Sequence, residues 1–229
     1  DDLDLTLYSD ADELVEEVTS QVLAHIAQGI AERDRFDLVL TGGALGMALS
    51  ESLIRHFNSV PHDYQGLHIW FSDERFVDRS SPERNAHPFE TLLTNSHIQV
   101  HQAPAADETD SASSCAALAK ELAGVEFDLN VLGLGPDGHV ASIFPGRPEL
   151  DFTDDLFVIS DSPKPPAVRI SFSMRLINEA REVWIIAAGA SKADAVTAII
   201  ESDTSVPASY VNGAEHTRLI VDTEAFFSE

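Results

Sequence analysis

The sequence predicts an α/β domain, built as a largely parallel β-sheet with helices on both faces. Three observations lead there. Apolar runs of strand length alternate with longer stretches of helical period. Most of those runs are continuous rather than alternating, which requires burial on both faces of the sheet. Hydrophobic residues make up 44% of the 229 and charged ones 23%, enough apolar surface for a packed core. The same composition excludes several functions. With 39 acidic and 14 basic residues the formal charge is −25, which leaves no cationic surplus to neutralise a row of phosphates, so no nucleic-acid partner is expected. The single cysteine, Cys115, excludes an intrachain disulfide and a thiolate metal cluster. No run approaches the roughly 18 apolar residues needed to span a bilayer, and the opening D-D-L-D-L-T-L has neither the basic flank nor the apolar core of a secretion signal. A cytoplasmic protein without a membrane partner is expected; monomer and dimer both stay open.

Strands are expected at Leu3 to Leu7, Phe36 to Leu40, Leu67 to Phe71, Phe127 to Leu132, Phe157 to Ser160, Val168 to Phe172, Val183 to Ala188 and Arg218 to Val221. Helices are expected from Asp10 or Asp12 to about Glu32, then over Ala44 to Phe57, Ser81 to Leu93, Asp110 to Ala123 and Ser191 to Ile200. In the first helix Leu14, Val18, Val22 and Ile26 recur every four residues, making one apolar face. Glu13, Glu16 and Glu17 occupy its opening turns, where the helix dipole favours negative charge. Gln102 to Ser114 is rich in Ala, Ser and Asp, and Ser162-Pro163-Lys164-Pro165-Pro166 reads as a rigid turn; neither resembles an interdomain linker. Residues 1–229 therefore read as one three-layer, Rossmann-like domain.

In an open parallel sheet ligands bind beyond the carboxyl ends of the strands, so the residues following each strand carry the functional information. Strand Phe36 to Leu40 runs into Thr41-Gly42-Gly43-Ala44 and a helix. That turn offers backbone amides and a positive dipole end to an anion, although paired glycines also simply make a tight turn. Strand Phe127 to Leu132 is followed by Gly133-Leu134-Gly135-Pro136-Asp137-Gly138-His139, formally G-x-G-x-x-G. A dinucleotide site would need a long helix here, yet Pro145-Gly146 stops the chain after about one turn, so no nicotinamide cofactor is expected. What remains is a glycine loop holding an Asp and a His two residues apart, a candidate acid–base pair with room for substrate. Strand Leu67 to Phe71 ends in Ser72-Asp73-Glu74-Arg75, which either is a solvated strand exit or, if the two strands lie near each other, brings a carboxylate and a guanidinium to the same rim as His139. Arg169 interrupts an apolar strand and needs an anionic partner. Lys192, in Gly189-Ala190-Ser191-Lys192 at a helix start, is poorly placed for the helix dipole unless an anion sits nearby. Together Arg169, Lys192 and glycine-turn amides would form an isolated positive pocket suited to one small phosphate.

Metal chemistry has little support, because His25, His56, His62, His68, His87, His97, His101 and His216 are scattered without a spaced ligand pair on a helix. No G-x-S-x-G elbow is present for a serine hydrolase.

Five blocks in order, L-T-G-G-A, F-S-D-E-R-F-V with Asn85, L-G-L-G-P-D-G-H-V-A-S-I-F-P-G, R-I-S-F-S-M with Asn178, and G-A-S-K, resemble the 6-phosphogluconolactonase family within the sugar-phosphate isomerase and deaminase fold group. The third block is the most specific. The resemblance implies hydrolysis of 6-phospho-D-glucono-1,5-lactone to 6-phosphogluconate in the pentose phosphate pathway, with no required cofactor. It also implies roles: His139 as the base that activates water, Asp137 as its neighbour, and Arg169 and Lys192 as the phosphate clamp. Thr41, Gly42 and Gly43 would be the phosphate turn, and Asp73, Arg75, Gly135 and Gly138 would contact substrate. One departure is Ala44, where the family often has a hydroxyl residue; Thr41 is a candidate substitute. The nearest rival is a hexosamine-6-phosphate deaminase or isomerase, which shares the Asp-Gly-His loop but continues it with a Phe-Asn-Glu segment. Here the first carboxylate after the loop is Glu149. A second rival, a non-catalytic sugar-phosphate sensor, usually accompanies a DNA-binding module, and no basic helix-turn-helix segment is present.

Overall fold

Seven strands, all paired in parallel, form the central sheet of the computed structural model, which describes residues 3–60 and 64–227. His62 lies outside the described residues. In chain order the elements are β1 (Asp4–Tyr8), α1 (Ala11–Arg33), β2 (Phe36–Leu40), α2 (Gly43–Ser59), β3 (Leu67–Phe71), β4 (Asp73–Arg75), α3 (His87–Thr91), β5 (Gln99–Val100), α4 (Ser111–Leu122) and β6 (Leu129–Gly133). They continue with β7 (Leu156–Ile159), β8 (Arg169–Phe172), α5 (Met174–Glu179), β9 (Glu182–Ala187), α6 (Ala193–Ile200), β10 (His216–Asp222) and α7 (Thr223–Phe226). The central sheet runs β1-β10-β9-β6-β2-β3-β5.

Continuous apolar strands are explained by burial on both faces. Along β9, Val183, Ile185 and Ala187 join one core cluster while Trp184 and Ile186 join the other. Helices α1 and α2 cover the second face through Leu14, Val18, Val22, Ile26, Leu49, Leu53 and Phe57, all of them buried. The four-residue spacing in α1 thus points at the sheet as expected. Its start is fixed by the Asp10 carboxylate, which accepts the Glu13 N–H.

Two expectations are corrected. Strands Phe157 to Ser160 and Val168 to Phe172 do not enter the parallel sheet. They form β7 and β8, which pair antiparallel with each other, β8 also pairing with β4, in a separate three-stranded sheet packed into the first core cluster beside α4 and α5. The helix expected over Ser81 to Leu93 contracts to the five residues of α3. Helix bonding there is pre-empted by the Glu74 carboxylate, which accepts the backbone N–H groups of Asn85 and Ala86.

The topology also places the site. From β2 the chain steps outward to β3 and β5, whereas β6, β9 and β10 follow on the other side. Between β2 and β6 the strand order reverses, and the loops leaving their carboxyl ends diverge around a crevice.

Candidate active site

That crevice is a cleft of about 940 Å³ bordered by the turn after β2, the loop after β6, the β3–β4 exit, the 164–165 turn, β8 and the turn after β9. It brings Thr41, Gly42, Gly43, Asp73, Arg75, Gly135, His139, Arg169 and Lys192 to one mouth. Five segments distant in sequence therefore converge as the strand-end argument requires.

The loop after β6 folds back on itself: the Gly135 N–H donates to the His139 carbonyl and the Gly138 N–H to the Gly135 carbonyl. This closure sets the His139 ring against the Asp137 side chain, with Nδ1 2.6 Å from Oδ1. A β-carbon on Gly135 would overlap His139 Nδ1 and lie 2.6 Å from Asp137 Oδ1, so the pair occupies the space a side chain would need. Burial pushes the Asp137 carboxyl up, but the His139 hydrogen bond and the charges of His139 and Lys164 bring it below its ordinary value. An ionised carboxylate only accepts, so Nδ1 carries the proton and Nε2 keeps the lone pair. Burial also pushes the imidazole below its usual value, outweighing the opposing pull of Asp137, so His139 is neutral at physiological pH. Phe144 flanks the ring with centroids 4.6 Å apart. Asp137 and Gly138 lie outside the cleft lining. Asp137 sits behind the His139 ring. Gly138, expected to contact substrate, instead has positive φ (81°), and a β-carbon there would sit 2.5 Å from Val206. That position packs against Val206.

Asp73 is buried at the opposite wall, accepting from Ser142 Oγ (2.7 Å) and Asn85 Nδ2 (3.0 Å). Ser142 is held in turn by its N–H to Ser171 Oγ, and the residue before it, Ala141, has φ 47°. A left-handed alanine costs about 1–2 kcal/mol, and this one lines the cleft where the surrounding bonds hold it. Glu74 turns inward and is not a rim group. It accepts three backbone N–H groups, from Arg75, Asn85 and Ala86, and complete burial pushes its pKa up to about 7 despite the nearby Arg84 charge.

The cations behave differently from one another. Lys192 Nζ donates to the Leu134 carbonyl at 2.6 Å, and burial followed by the Lys164 charge lowers its pKa. Arg169 finds carbonyls more than the anion expected for it: Nε donates to Pro166 O, Nη2 to Lys164 O and Pro165 O, and Nη1 stands 3.8 Å from Asp73 Oδ2. Helix α2 opens at Gly42 without a side-chain cap, and Gly43 takes positive φ (73°), leaving the helix N-terminus turned to the cleft. Sequence reasoning missed Lys164, whose Nζ lies 3.6 Å from Asp137 Oδ1. It also missed Asn85 and Ser142 as supports of Asp73. Being one of only three lysines was the one signal that marked Lys164.

A family model described as glucosamine-6-phosphate isomerases/6-phosphogluconolactonase matches residues 9–221. The chain belongs to this family. It is 34% identical over 238 positions to a 6-phosphogluconolactonase of Mycobacterium leprae, covering 96% of this chain and 95% of that one. It is 38% identical over 207 positions to a probable 6-phosphogluconolactonase of Drosophila melanogaster, covering 86% and 84%. Among solved structures, a 6-phosphogluconolactonase of Thermotoga maritima superposes with a TM-score of 0.85 at 27% identity, covering 97% of this chain and all of that one. A monomeric glucosamine-6-phosphate deaminase superposes at 0.77 with 18% identity over 97% of this chain and 98% of that one, so the fold alone does not choose the reaction. Among the described residues no helix is long and apolar enough to cross a membrane.

Proposed function

We propose that the chain is a 6-phosphogluconolactonase that hydrolyses 6-phospho-D-glucono-1,5-lactone to 6-phospho-D-gluconate in the oxidative pentose phosphate pathway. The observation that carries the reading is the neutral His139 imidazole, oriented by Asp137, in a cleft that also gathers Lys192, Arg75, Arg169 and the start of α2. Both the full-length relatives and the third sequence block support the lactonase over the deaminase. So does Glu149, the first carboxylate after the loop: it is buried, bonded by Arg147, and absent from the cleft lining.

The lactone carbonyl is already electrophilic, so the protein must orient water, accept a proton and stabilise the developing oxyanion. In this mechanism His139 Nε2 takes the proton of the attacking water as oxygen bonds to the lactone carbonyl carbon. The tetrahedral intermediate then collapses, the bond to the ring oxygen breaks, and the imidazolium returns the proton to that oxygen. The Asp137 carboxylate stabilises the transient imidazolium through Nδ1–H. The phosphate is held by Lys192, Arg169 Nη1 and the Thr41-Gly42-Gly43 turn, while Asp73 and Arg75 face the sugar. Residues 1–229 act as one functional domain, an assignment supported by the cleft drawing residues from both sheets. A cytoplasmic location belongs to the same proposal and is tested by cell fractionation. The function itself is tested by measuring acid release from the lactone beside ammonia release from glucosamine 6-phosphate. Ammonia release with no acceleration of lactone opening refutes the proposal. Tight binding of phosphate ligands with neither activity favours a sensor.

A further inference from the structure

We propose that Lys164 is a further substrate-binding residue, seated with Lys192 to receive the substrate phosphate, and that Arg169 is a positioning residue that fixes the Lys164 loop. Lys164 and Lys192 line the same cleft and lie close enough to feel each other's charge. The carboxylate beside them is Asp137, and its Oδ1 serves both His139 Nδ1 at 2.6 Å and Lys164 Nζ at 3.6 Å. Lys192 has a carbonyl for a partner, which supplies a hydrogen bond but no charge. One ammonium group is thus paired with a carboxylate already committed to an imidazole, and among the described residues the other makes no ion pair. Asp10, Asp12, Asp222 and Glu224 also line the cleft, but among the described residues none of them forms an ion pair with either ammonium group, so both face the open cleft short of counter-charge. A phosphate monoester, carrying about −1.5 to −2 charges at neutral pH, supplies it.

The loop under Lys164 is held by a second observation, independent of charge. The carbonyls of three consecutive residues, Lys164, Pro165 and Pro166, all accept from the Arg169 guanidinium, at 3.2, 3.0 and 3.2 Å. That guanidinium is 6% exposed and faces Asp73, itself braced by Ser142 and Asn85. Arg169 therefore ties the backbone beneath Lys164 to the rigid wall of the cleft, leaving only Nη1 free of the loop. A lysine at 169 keeps the charge but lacks the planar fork that reaches three carbonyls.

For turnover the inference rests on the lactonase reading; for anion binding it does not. The test compares kcat/KM for 6-phosphogluconolactone with that for unphosphorylated glucono-1,5-lactone in the parent, Lys164→Met, Arg169→Lys and the double variant. Calorimetric titration with inorganic phosphate accompanies each, and thermal melting checks folding. Lys164 is half-exposed, so Lys164→Met is expected to fold and to lower the preference for the phosphorylated lactone about tenfold, the lower end for an exposed charge-assisted bond, with a parallel weakening of phosphate binding. Arg169→Lys is expected to lower the same preference in the parent and by a clearly smaller factor once Lys164 is gone, the remainder being its own Nη1 contact with the phosphate, because coupled residues are not additive. A preference and a phosphate affinity within about twofold of the parent in Lys164→Met overturn the binding role. Equal effects of Arg169→Lys in both backgrounds overturn the positioning role. If the parent fails to accelerate lactone opening, the lactonase reading fails, and the phosphate titrations still decide for or against the Lys164 seat.

Discussion

Replacing Asp137 by Asn tests the division of labour between the carboxylate and the imidazole. The substitution keeps the size of the side chain and one oxygen that can accept from His139 Nδ1, but it removes the charge. Two consequences follow, with definite signs. The 2.6 Å hydrogen bond is charge-assisted, a class worth about 1.5–3 kcal/mol, and Asp137 is about a third exposed, so screening places it near the lower end. A loss of about 1.5–2 kcal/mol in stabilising the imidazolium lowers kcat about 10- to 30-fold. The pH profile moves as well. His139 already sits below its ordinary 6.5 through burial, and Asp137 is the group that pulls it upward. Removing that pull lowers the imidazole pKa further, so the acid limb of kcat shifts to lower pH even as the plateau drops. The assay is continuous acid release from the lactone between about pH 4.5 and 8, corrected for spontaneous opening. An unchanged plateau, or an acid limb displaced to higher pH, refutes the reasoning.

Gly135→Ala forces the His139–Asp137 pair out of place, because its β-carbon needs their space; kcat falls about 100-fold or more with the circular dichroism spectrum intact, and steady-state kinetics of the purified variant check it. Ala44→Ser places a hydroxyl beside the uncapped start of α2, on an exposed position lining the cleft, and is expected to lower KM for the phosphorylated lactone about threefold while leaving KM for the unphosphorylated one unchanged. Glu74 supplies a stability prediction. Its folded-state pKa of about 7 exceeds the ordinary 4.5, so between those values the folded chain holds a proton the unfolded chain releases, and the Glu74 contribution weakens as pH rises through that window. Glu74→Gln removes this slope; the urea-unfolding free energy of the variant relative to the parent shifts in the variant's favour by up to about 3 kcal/mol from pH 4.5 to 7, and a difference that stays constant across the window contradicts the burial argument.

Much of the fold was legible because burial on both sheet faces leaves a plain mark: β9 after Glu182 reads as an unbroken apolar run, β2 and β6 read as apolar runs interrupted only by Asp37 and Asn130, and all three lie inside the sheet. The same mark misled at β7 and β8. Apart from Arg169 and Ser171 those strands are apolar too, because the small antiparallel sheet packs into the same core cluster, and apolar content does not reveal which neighbour a strand pairs with. The two-residue β5 is too short to carry any periodicity. In the segment from Ser81, local propensity lost to a tertiary competitor: Glu74 captures the Asn85 and Ala86 amides across 11 and 12 residues of chain.

The site was legible where it hangs on strand ends. His139, Lys192, Asp73 and the Thr41-Gly42-Gly43 turn follow apolar runs directly, and the parallel sheet then gathers their carboxyl ends. Lys164 was hidden because its proline-rich segment reads only as a rigid turn; the three carbonyls gripped by Arg169 show that this turn is held against the cleft. Gly138 is the complementary case. A glycine in a functional loop is indistinguishable in sequence from one that packs against Val206.

The central claim is that His139 performs the proton transfer while other groups hold the substrate. His139→Ala, assayed for lactone turnover and titrated with 6-phosphogluconate, separates the two directly. The account predicts a loss of kcat of about 100-fold or more, the range of general-base catalysis, with product affinity within about threefold of the parent. Lactone opening at the parent rate, or a collapse of product affinity that matches the loss of turnover, contradicts it.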